Sequence, residues 1–148
     1  MYKRILLLVD SAESSGVAAE RAIAMARECK AELIALAVVD TATLKELLTY
    51  RIMVAQEMEE YERELEQSGR RQLALVEEQA RKAGVTVQSV HKKGAIHSVV
   101  VAHQETAKAD LVVISAFKAT QITRDLLAKE KQFIIDEAKC DVMIVKKV

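Results

Sequence analysis

The sequence predicts an α/β fold: an open five-stranded parallel sheet with helices on both faces, of the Rossmann-like kind. Three observations predict it. Continuous apolar runs recur along the chain and suit strands that are buried on both faces. Apolar residues at helical spacing fill the segments between these runs. Proline is absent and only four glycines occur in 148 residues, which leaves little of the chain for irregular loops. The alternation of strand and helix implies right-handed crossovers in one domain, residues 1–148.

The first half of the chain predicts two strands and two helical regions. The run Ile5–Val9 predicts the first strand, and Asp10 closes it. Apolar residues at helical spacing then predict a helix: Ala18, Ala22, Met25 and Cys29. Leu33–Val39 predicts a second buried strand. The longest helical region follows at Thr41–Ala83, with an acidic, solvated middle and Gly84 as its stop.

Two apolar stripes run along this long region. The first consists of Leu44, Leu48, Ile52 and Ala55, and the second of Leu65, Gln72 or Leu73, Val76, Ala80 and Ala83. We expect both stripes to face the core, although the region is long enough for part of it to pack on another subunit. The packing of Thr41–Gln67 stays open at this point, because the segment could either close a pocket or line a new one.

The second half continues the alternation. The predicted elements are a third strand at Val85–Val90 near a sheet edge, a helix at Ile96–Ala107 after Gly94, a fourth strand at Leu111–Ser115, a helix at Ile122–Ala138 and a fifth strand at Val142–Val145. In such sheets, ligands bind beyond the carboxyl ends of the strands. We therefore expect any site to lie near Asp10, Val39, Asp40, Gly94 and Ser115.

The composition excludes several classes of function. Lys and Arg number 22 and so do Asp and Glu, which argues against an electrostatic binder of nucleic acid or membrane surfaces. No apolar run approaches the roughly 20 residues that span a bilayer. Two cysteines make no disulfide framework, and no secretory signal is recognisable. These features predict a cytoplasmic protein.

Catalytic and metal-binding patterns are weak. His97 and His103 are six residues apart and lie on different helix faces, so no metal site is predicted. His103 lies on an apolar stripe and is expected to be a hydrogen-bonded core histidine. Ser115 follows a strand but lacks the G-x-S-x-G elbow, and no histidine follows it in the chain. We expect no enzyme activity.

The order of these segments resembles the universal stress protein family over essentially the whole chain. The resemblance rests on Ile5–Asp10 before a serine-rich helix start, on Ala31–Val39, on Gly94 before a helix, on Ala109–Ile114, and on Cys140–Val145. It implies the family's five-stranded parallel sheet. It also implies a homodimer in which the edge strand Val142–Val145 pairs with its copy across a two-fold axis.

The resemblance also assigns nucleotide positions, and the chain departs from them. Many family members bind ATP through G-x2-G-x9-G-[ST] after the fourth strand. Aligned without gaps, that motif falls on Ser115, Lys118, Ala128 and Lys129. Side chains at glycine positions keep the backbone from approaching a phosphate closely. The chain therefore looks like the branch of the family that lacks ATP, and no cofactor is expected.

Two further positions match the family, and each has a plain structural reading. Asp10 stands where members use an acid near the adenosine, but it could equally cap the next helix. Val39 stands where the backbone meets adenine, but a buried strand-end valine explains it equally well. The leading hypothesis is a regulatory or interaction module with an unidentified protein partner. The alternative is an ATP- or AMP-binding protein with a phosphate site rebuilt from Lys118 and Lys129 as point charges.

Overall fold

The computed structural model describes residues 1–10, 15–116 and 121–147, and for residues 121–127 it describes the backbone alone. The strands are β1 (Arg4–Val9), β2 (Glu32–Asp40), β3 (Val87–Gly94), β4 (Leu111–Ser115) and β5 (Asp141–Val145). The helices are α1 (Ser15–Cys29), α2 (Thr41–Thr49), α3 (Ala55–Lys82), α4 (Ile96–Ala107) and α5 (Gln121–Glu137).

The five strands form one parallel sheet in the order β3-β2-β1-β4-β5. The predicted fold class is confirmed. The chain builds outward from β1 in one direction through β2 and β3, and in the other direction through β4 and β5. The switch point of the topology therefore lies between β1 and β4, where ligands of such sheets bind.

The core has two layers because alternate residues of a strand point to opposite faces of the sheet. Ile5, Leu7 and Val9 pack with buried residues of α1 and α3 on one face. Leu6 and Leu8 pack on the other face with residues of α4 and α5. The continuous apolar run of β1 thus supplies both layers, as a strand with two covered faces must.

The predicted long helical region differs from the structure in its first half. It is two helices, α2 and α3, separated by residues 50–54. Arg51 adopts a left-handed conformation with φ of 56°, and the backbone N–H groups of Ile52 and Met53 return to the carbonyl of Leu47. These bonds close the end of α2, so the stripe through Leu48 and Ile52 does not reach the core and both side chains are exposed.

The C-terminal part of the second apolar stripe is confirmed. Leu73, Val76 and Ala80 are buried against the sheet, and Gly84 follows the end of α3 in a left-handed conformation with φ of 73°. β3 begins and ends later than predicted, at Val87–Gly94, because pairing with β2 continues through Val39 opposite Lys93 and Asp40 opposite Gly94. It is an edge strand, as expected.

Candidate functional site

A buried lysine occupies the switch point of the sheet. The Lys131 ammonium, on α5, donates to the carbonyl oxygen of Ser115 at 2.5 Å and lies 3.3 Å from the Ser115 hydroxyl. Its Nζ is also 3.5 Å from a carboxylate oxygen of Asp10. Lys131 is buried. Three groups from β1, β4 and α5 therefore meet beyond the carboxyl ends of the two central strands.

Ser115 links the two charged groups. Its hydroxyl donates to the Asp10 carboxylate, with both oxygens at 3.1 Å, and its side chain is fully buried at the end of β4. Ser115 cannot approach an external ligand in this arrangement. Both Asp10 and Ser115 were predicted site residues, and the structure brings them together around a lysine that the sequence analysis did not select.

Electrostatics at Lys131 are a balance of burial and pairing. Burial lowers the pKa of the Lys131 ammonium, because removing a cation from water disfavours its charged form, and the Asp10 carboxylate opposes that shift. A buried ammonium of this kind needs its carboxylate, since an unpaired buried charge is strongly destabilising.

The adjacent residue, Glu130, lies at the start of α4, also beyond the carboxyl ends of the strands. Its carboxylate accepts a hydrogen bond from the backbone N–H of His97 at 2.8 Å and contacts His97 Nδ1 at 2.5 Å. His97 lies in the first turn of α4, whose N-cap, Ala95, has no side chain that can cap it. Glu130 therefore places negative charge at the positive end of α4, where an anion such as a phosphate could otherwise bind.

The remaining predicted positions are more dispersed. Val39 is buried, and lies opposite Lys93 in the pairing of β2 with β3. The ammonium of Lys129 lies 5.9 Å from the ring centroid of Phe133, and the residue is exposed. Phe133 also contacts the ring of His97 at a centroid distance of 4.7 Å. Lys118 lies outside the described residues.

Asp40 follows Val39 and has a structural role. Its carboxylate caps α2 by accepting from the backbone N–H of Thr43 at 3.0 Å and from the Thr43 hydroxyl at 2.5 Å. Burial raises the pKa of the Asp40 carboxyl, while the two hydrogen bonds from Thr43 oppose that shift.

The expectation for His103 was wrong. It is half-buried on α4, and within the described part of the chain its Nδ1 has no hydrogen-bond partner. Burial lowers the pKa of its imidazole, so the neutral form is favoured. In the ranges that the structure describes, no group of three or more His, Cys, Asp or Glu side chains could hold a metal ion, and no helix is long and apolar enough to cross a membrane.

A polar cleft of about 350 Å³ lies at the amino ends of the strands, and its lining includes Tyr2, Arg4, Glu32 and Asp110. Each of these groups has a polar partner in the chain, and the Tyr2 hydroxyl donates to the Asp141 carboxylate at 2.8 Å. Asp110 accepts from the backbone N–H of Lys3 and of Arg4, and Arg4 pairs with Glu32 at 3.2 Å. These contacts hold the amino ends of the strands together, whereas ligands of such sheets bind at the carboxyl ends.

Sequence reasoning missed Lys131 and Glu130, although one signal was present. Leu127, Lys131 and Ile134 are spaced four and three residues apart, which puts a lysine on the apolar stripe of a helix. A lysine on a buried stripe requires a partner, and the carboxylate at the end of the first strand was available.

The sequence and the fold are both similar to those of known proteins. The model of the universal stress protein family matches residues 1–146. Universal stress protein MJ0531 of Methanocaldococcus jannaschii is 31% identical over 147 residues, covering 99% of this chain and 84% of that protein. The structure is similar to that of protein MJ0577, with a TM-score of 0.80, 22% identity, and coverage of 100% of this chain and 98% of that one.

A further similar structure is a universal stress protein family member of Arabidopsis thaliana with AMP bound. Its TM-score is 0.60 and its identity 16%, and the match covers 99% of this chain and 92% of that chain. At these identities the solved structures support the fold of this chain.

We predict that Asp10 and Lys131 are energetically coupled. Asp10→Asn leaves a buried ammonium without its carboxylate and should lower the free energy of unfolding by about 3 kcal/mol. The double variant, with Asp10→Asn and Lys131→Met, should lose less free energy of unfolding than the two single variants lose in total. The difference should be at least about 1 kcal/mol. Urea unfolding of the two single variants and the double variant measures this coupling, and simple additivity would contradict it.

The free energy of unfolding should also depend on pH differently in the wild-type protein and in the Lys131 variant. The pKa of Lys131 is lower in the folded state than its ordinary value of 10.5, so the unfolded state binds more protons between the two pKa values. The contribution of Lys131 to stability should therefore rise with pH through that window, and Lys131→Met should remove the rise. Lys129→Met is the control, since this exposed neighbour should change stability by no more than about 1 kcal/mol.

Proposed function

The chain belongs to the universal stress protein family, and on that premise we propose that it is a regulatory or interaction module. In this proposal it does not bind ATP in the manner usual for the family, uses no cofactor and catalyses no reaction. A cytoplasmic location belongs to the proposal, and the two free cysteines, Cys29 and Cys140, are consistent with a reducing compartment.

The observation that carries the proposal is the position of two consecutive side chains of α5. Lys131 places a cation on Asp10, the acid that the family resemblance assigns to the adenosine. Glu130 places an anion on the first turn of α4. The two polar features that could receive a nucleoside hydroxyl and a phosphate are thus both satisfied from within the chain.

The energetic consequence is a penalty against a nucleoside at Asp10. A ribose hydroxyl that took the carboxylate would leave the Lys131 ammonium buried without it. Separating a buried ion pair costs about 3 kcal/mol or more, which corresponds to a loss of at least about a hundredfold in affinity. Together with side chains at Ser115, Ala128 and Lys129 where the family motif has small residues, this favours a module that has lost the ligand.

The alternative is a nucleotide-binding protein with a rebuilt phosphate site that uses Lys118 and Lys129. Two observations favour it as a second candidate. Lys129 is exposed on α5, two residues from Lys131, and so belongs to the same helix that reaches the switch point. An AMP-bound relative shares the fold. A lysine ammonium can hold a phosphate as a point charge without a glycine-rich loop.

A homodimer through the edge strand is also part of the proposal. β5 lies at one edge of the sheet, and Ile144 is 45% exposed there, while Val142 and Met143 are half-buried. An apolar edge strand with free backbone groups is a template for pairing with another strand. Pairing with a second copy across a two-fold axis would cover it.

We predict that freshly purified protein carries no nucleotide and gains no stability from AMP or ATP. A ligand at ten times its Kd would add about 1.4 kcal/mol, which is several degrees in Tm for a domain of this size. Mass spectrometry of the denatured protein and a thermal-shift titration test this expectation.

The second candidate predicts the opposite result in the same assay. Nucleotide would then raise Tm, and Lys118→Met and Lys129→Met would each reduce that increase. Lys30→Met, a change to a lysine at the other edge of the sheet, would serve as the control and leave the increase intact. A stoichiometric nucleotide with this pattern of loss would replace the leading proposal by the second one.

We predict that the protein is a dimer of 16.4 kDa chains at micromolar concentration, as measured by light scattering. Ile144→Lys should shift it to a monomer, because the change puts a charge in the middle of the strand pairing. Leu75→Lys, which places the same charge at a side chain that is also exposed but lies on α3, should leave the dimer intact. A monomeric wild-type protein, or equal effects of the two changes, would contradict dimerisation through β5.

A further inference from the structure

An apolar surface is exposed at the junction of α2 and α3, in a part of the sequence distant from the edge strand β5. Tyr50, Ile52, Val54 and Tyr61 are 74%, 60%, 58% and 40% exposed. We call these four residues the junction surface. Single exposed apolar side chains are ordinary, whereas four large ones within twelve residues of chain make this junction a candidate contact site.

Local structure explains why these side chains face outward. The left-handed Arg51 and the bonds from Ile52 and Met53 to the Leu47 carbonyl turn the chain sharply after α2. Val54 then forms the N-cap of α3 with an extended backbone, and Tyr61 lies seven residues later in that helix. The turn therefore joins one face of α3 to the exposed side chains that precede it.

Aromatic residues are concentrated on this surface. The whole chain contains three tyrosines, two phenylalanines and no tryptophan. Two of the three tyrosines belong to the junction surface, and both are exposed. Tyrosine supplies a large contact area at low entropic cost and is enriched among the residues that dominate binding energies at interfaces. A chain so poor in aromatic residues presents a substantial share of them here.

A row of carboxylates borders the junction surface. Glu57, Glu60 and Glu64 are exposed and spaced three and four residues apart, so they share the face of α3 that carries Tyr61. Within the described part of the chain, none of the three forms an ion pair. By contrast, Glu62 and Glu66, on another face, both pair with Lys93 of β3. Glu57 lies in the first turn of α3, where its charge suits the helix dipole. Glu60 and Glu64 lie beyond that turn, and like charges at this spacing destabilise a helix, so these two have no evident role in the isolated fold.

We propose that the junction surface and its carboxylate row bind a basic amphipathic helix of a protein partner. The apolar side of that helix would cover Tyr50, Ile52, Val54 and Tyr61, and its Lys or Arg residues would face Glu57, Glu60 and Glu64. Amphipathic helices dock in this way through apolar anchors, and complementary charge sets their orientation and their rate of association.

The charges distinguish this partner from two other occupants. A second copy bound across a two-fold axis would bring the same patch onto itself, and the carboxylate rows would repel each other. The row would also be repelled by an anionic lipid surface, which attracts basic segments instead. The inference rests on the proposed role as an interaction module, for which it names the class of partner.

The test uses the full chain and fluorescent synthetic peptides. The probe is an amphipathic helical peptide with leucine on one face and lysine on the other, and its matched control has glutamate in place of lysine. We expect micromolar binding of the lysine peptide by anisotropy and no measurable binding of the glutamate peptide. Added salt should weaken the binding, because part of it is electrostatic.

Variants locate the contact. Ile52→Ser with Val54→Ser should weaken binding of the lysine peptide at least about tenfold, since it removes two apolar contacts. Glu57→Gln, Glu60→Gln and Glu64→Gln together should weaken it and flatten its salt dependence. Leu75→Ser, at a side chain on α3 that is 65% exposed, should leave the affinity unchanged. Thermal unfolding confirms that each variant is folded.

Several results would overturn the inference. They are equal binding of the lysine and glutamate peptides, equal effects of Leu75→Ser and the Ile52/Val54 pair, and absence of binding. Loss of a wild-type dimer in the Ile52/Val54 variant, seen by light scattering, would assign the surface to a second copy. The nucleotide titration is independent of these outcomes, so failure of the docking inference is distinguishable from failure of the proposed function.

Discussion

The contact between Lys131 and the ends of β1 and β4 is the constraint on which the rest of the candidate site depends. An ammonium at this depth requires a carboxylate and further acceptors, and Asp10 and Ser115 provide them. The contact therefore fixes the position of α5 relative to the two central strands. It also gives the Asp10 carboxylate a cationic partner from within the chain.

Helix α5 contributes a second charged residue to the site, Glu130. Because Glu130 and Lys131 are adjacent, one helix delivers an anion to the start of α4 and a cation to Asp10. Parallel sheets of this kind offer ligands the same two features, an acid at a strand end and the positive end of a helix. We therefore propose that the chain keeps both features of the family's ligand site but satisfies them from within the chain. In the same proposal, its contacts with other molecules lie elsewhere, at the edge strand β5 and at the junction of α2 and α3.

Much of the fold could be predicted from the sequence because its strongest signals are local. Ile5–Val9 and Leu33–Val39 are uninterrupted apolar runs, and only a strand covered on both faces accommodates them. The break between α2 and α3 was not predictable, since it depends on backbone bonds to Leu47 and on a left-handed Arg51 rather than on glycine or proline. Likewise, β3 extends to Gly94 because pairing with β2 decides where it ends.

The candidate site was predictable only in part. Asp10 and Ser115 follow from the rule that ligands bind at strand ends, and the structure brings them together. The role of their partner, Lys131, depends on which strands its helix packs against. Periodicity alone does not determine this packing. A lysine on an apolar stripe also has an alternative, in which its long side chain reaches solvent. Only the three-dimensional arrangement decides between an exposed and a buried ammonium.

A crystal structure of the protein grown with millimolar AMP tests the central claim most directly. We expect the Lys131 ammonium to remain within hydrogen-bonding distance of the Ser115 carbonyl and beside Asp10, with no nucleotide ordered at the switch point. A nucleoside hydroxyl bound to Asp10, with Lys131 withdrawn from it, would contradict this expectation and show that the carboxyl ends of the strands form an open binding site.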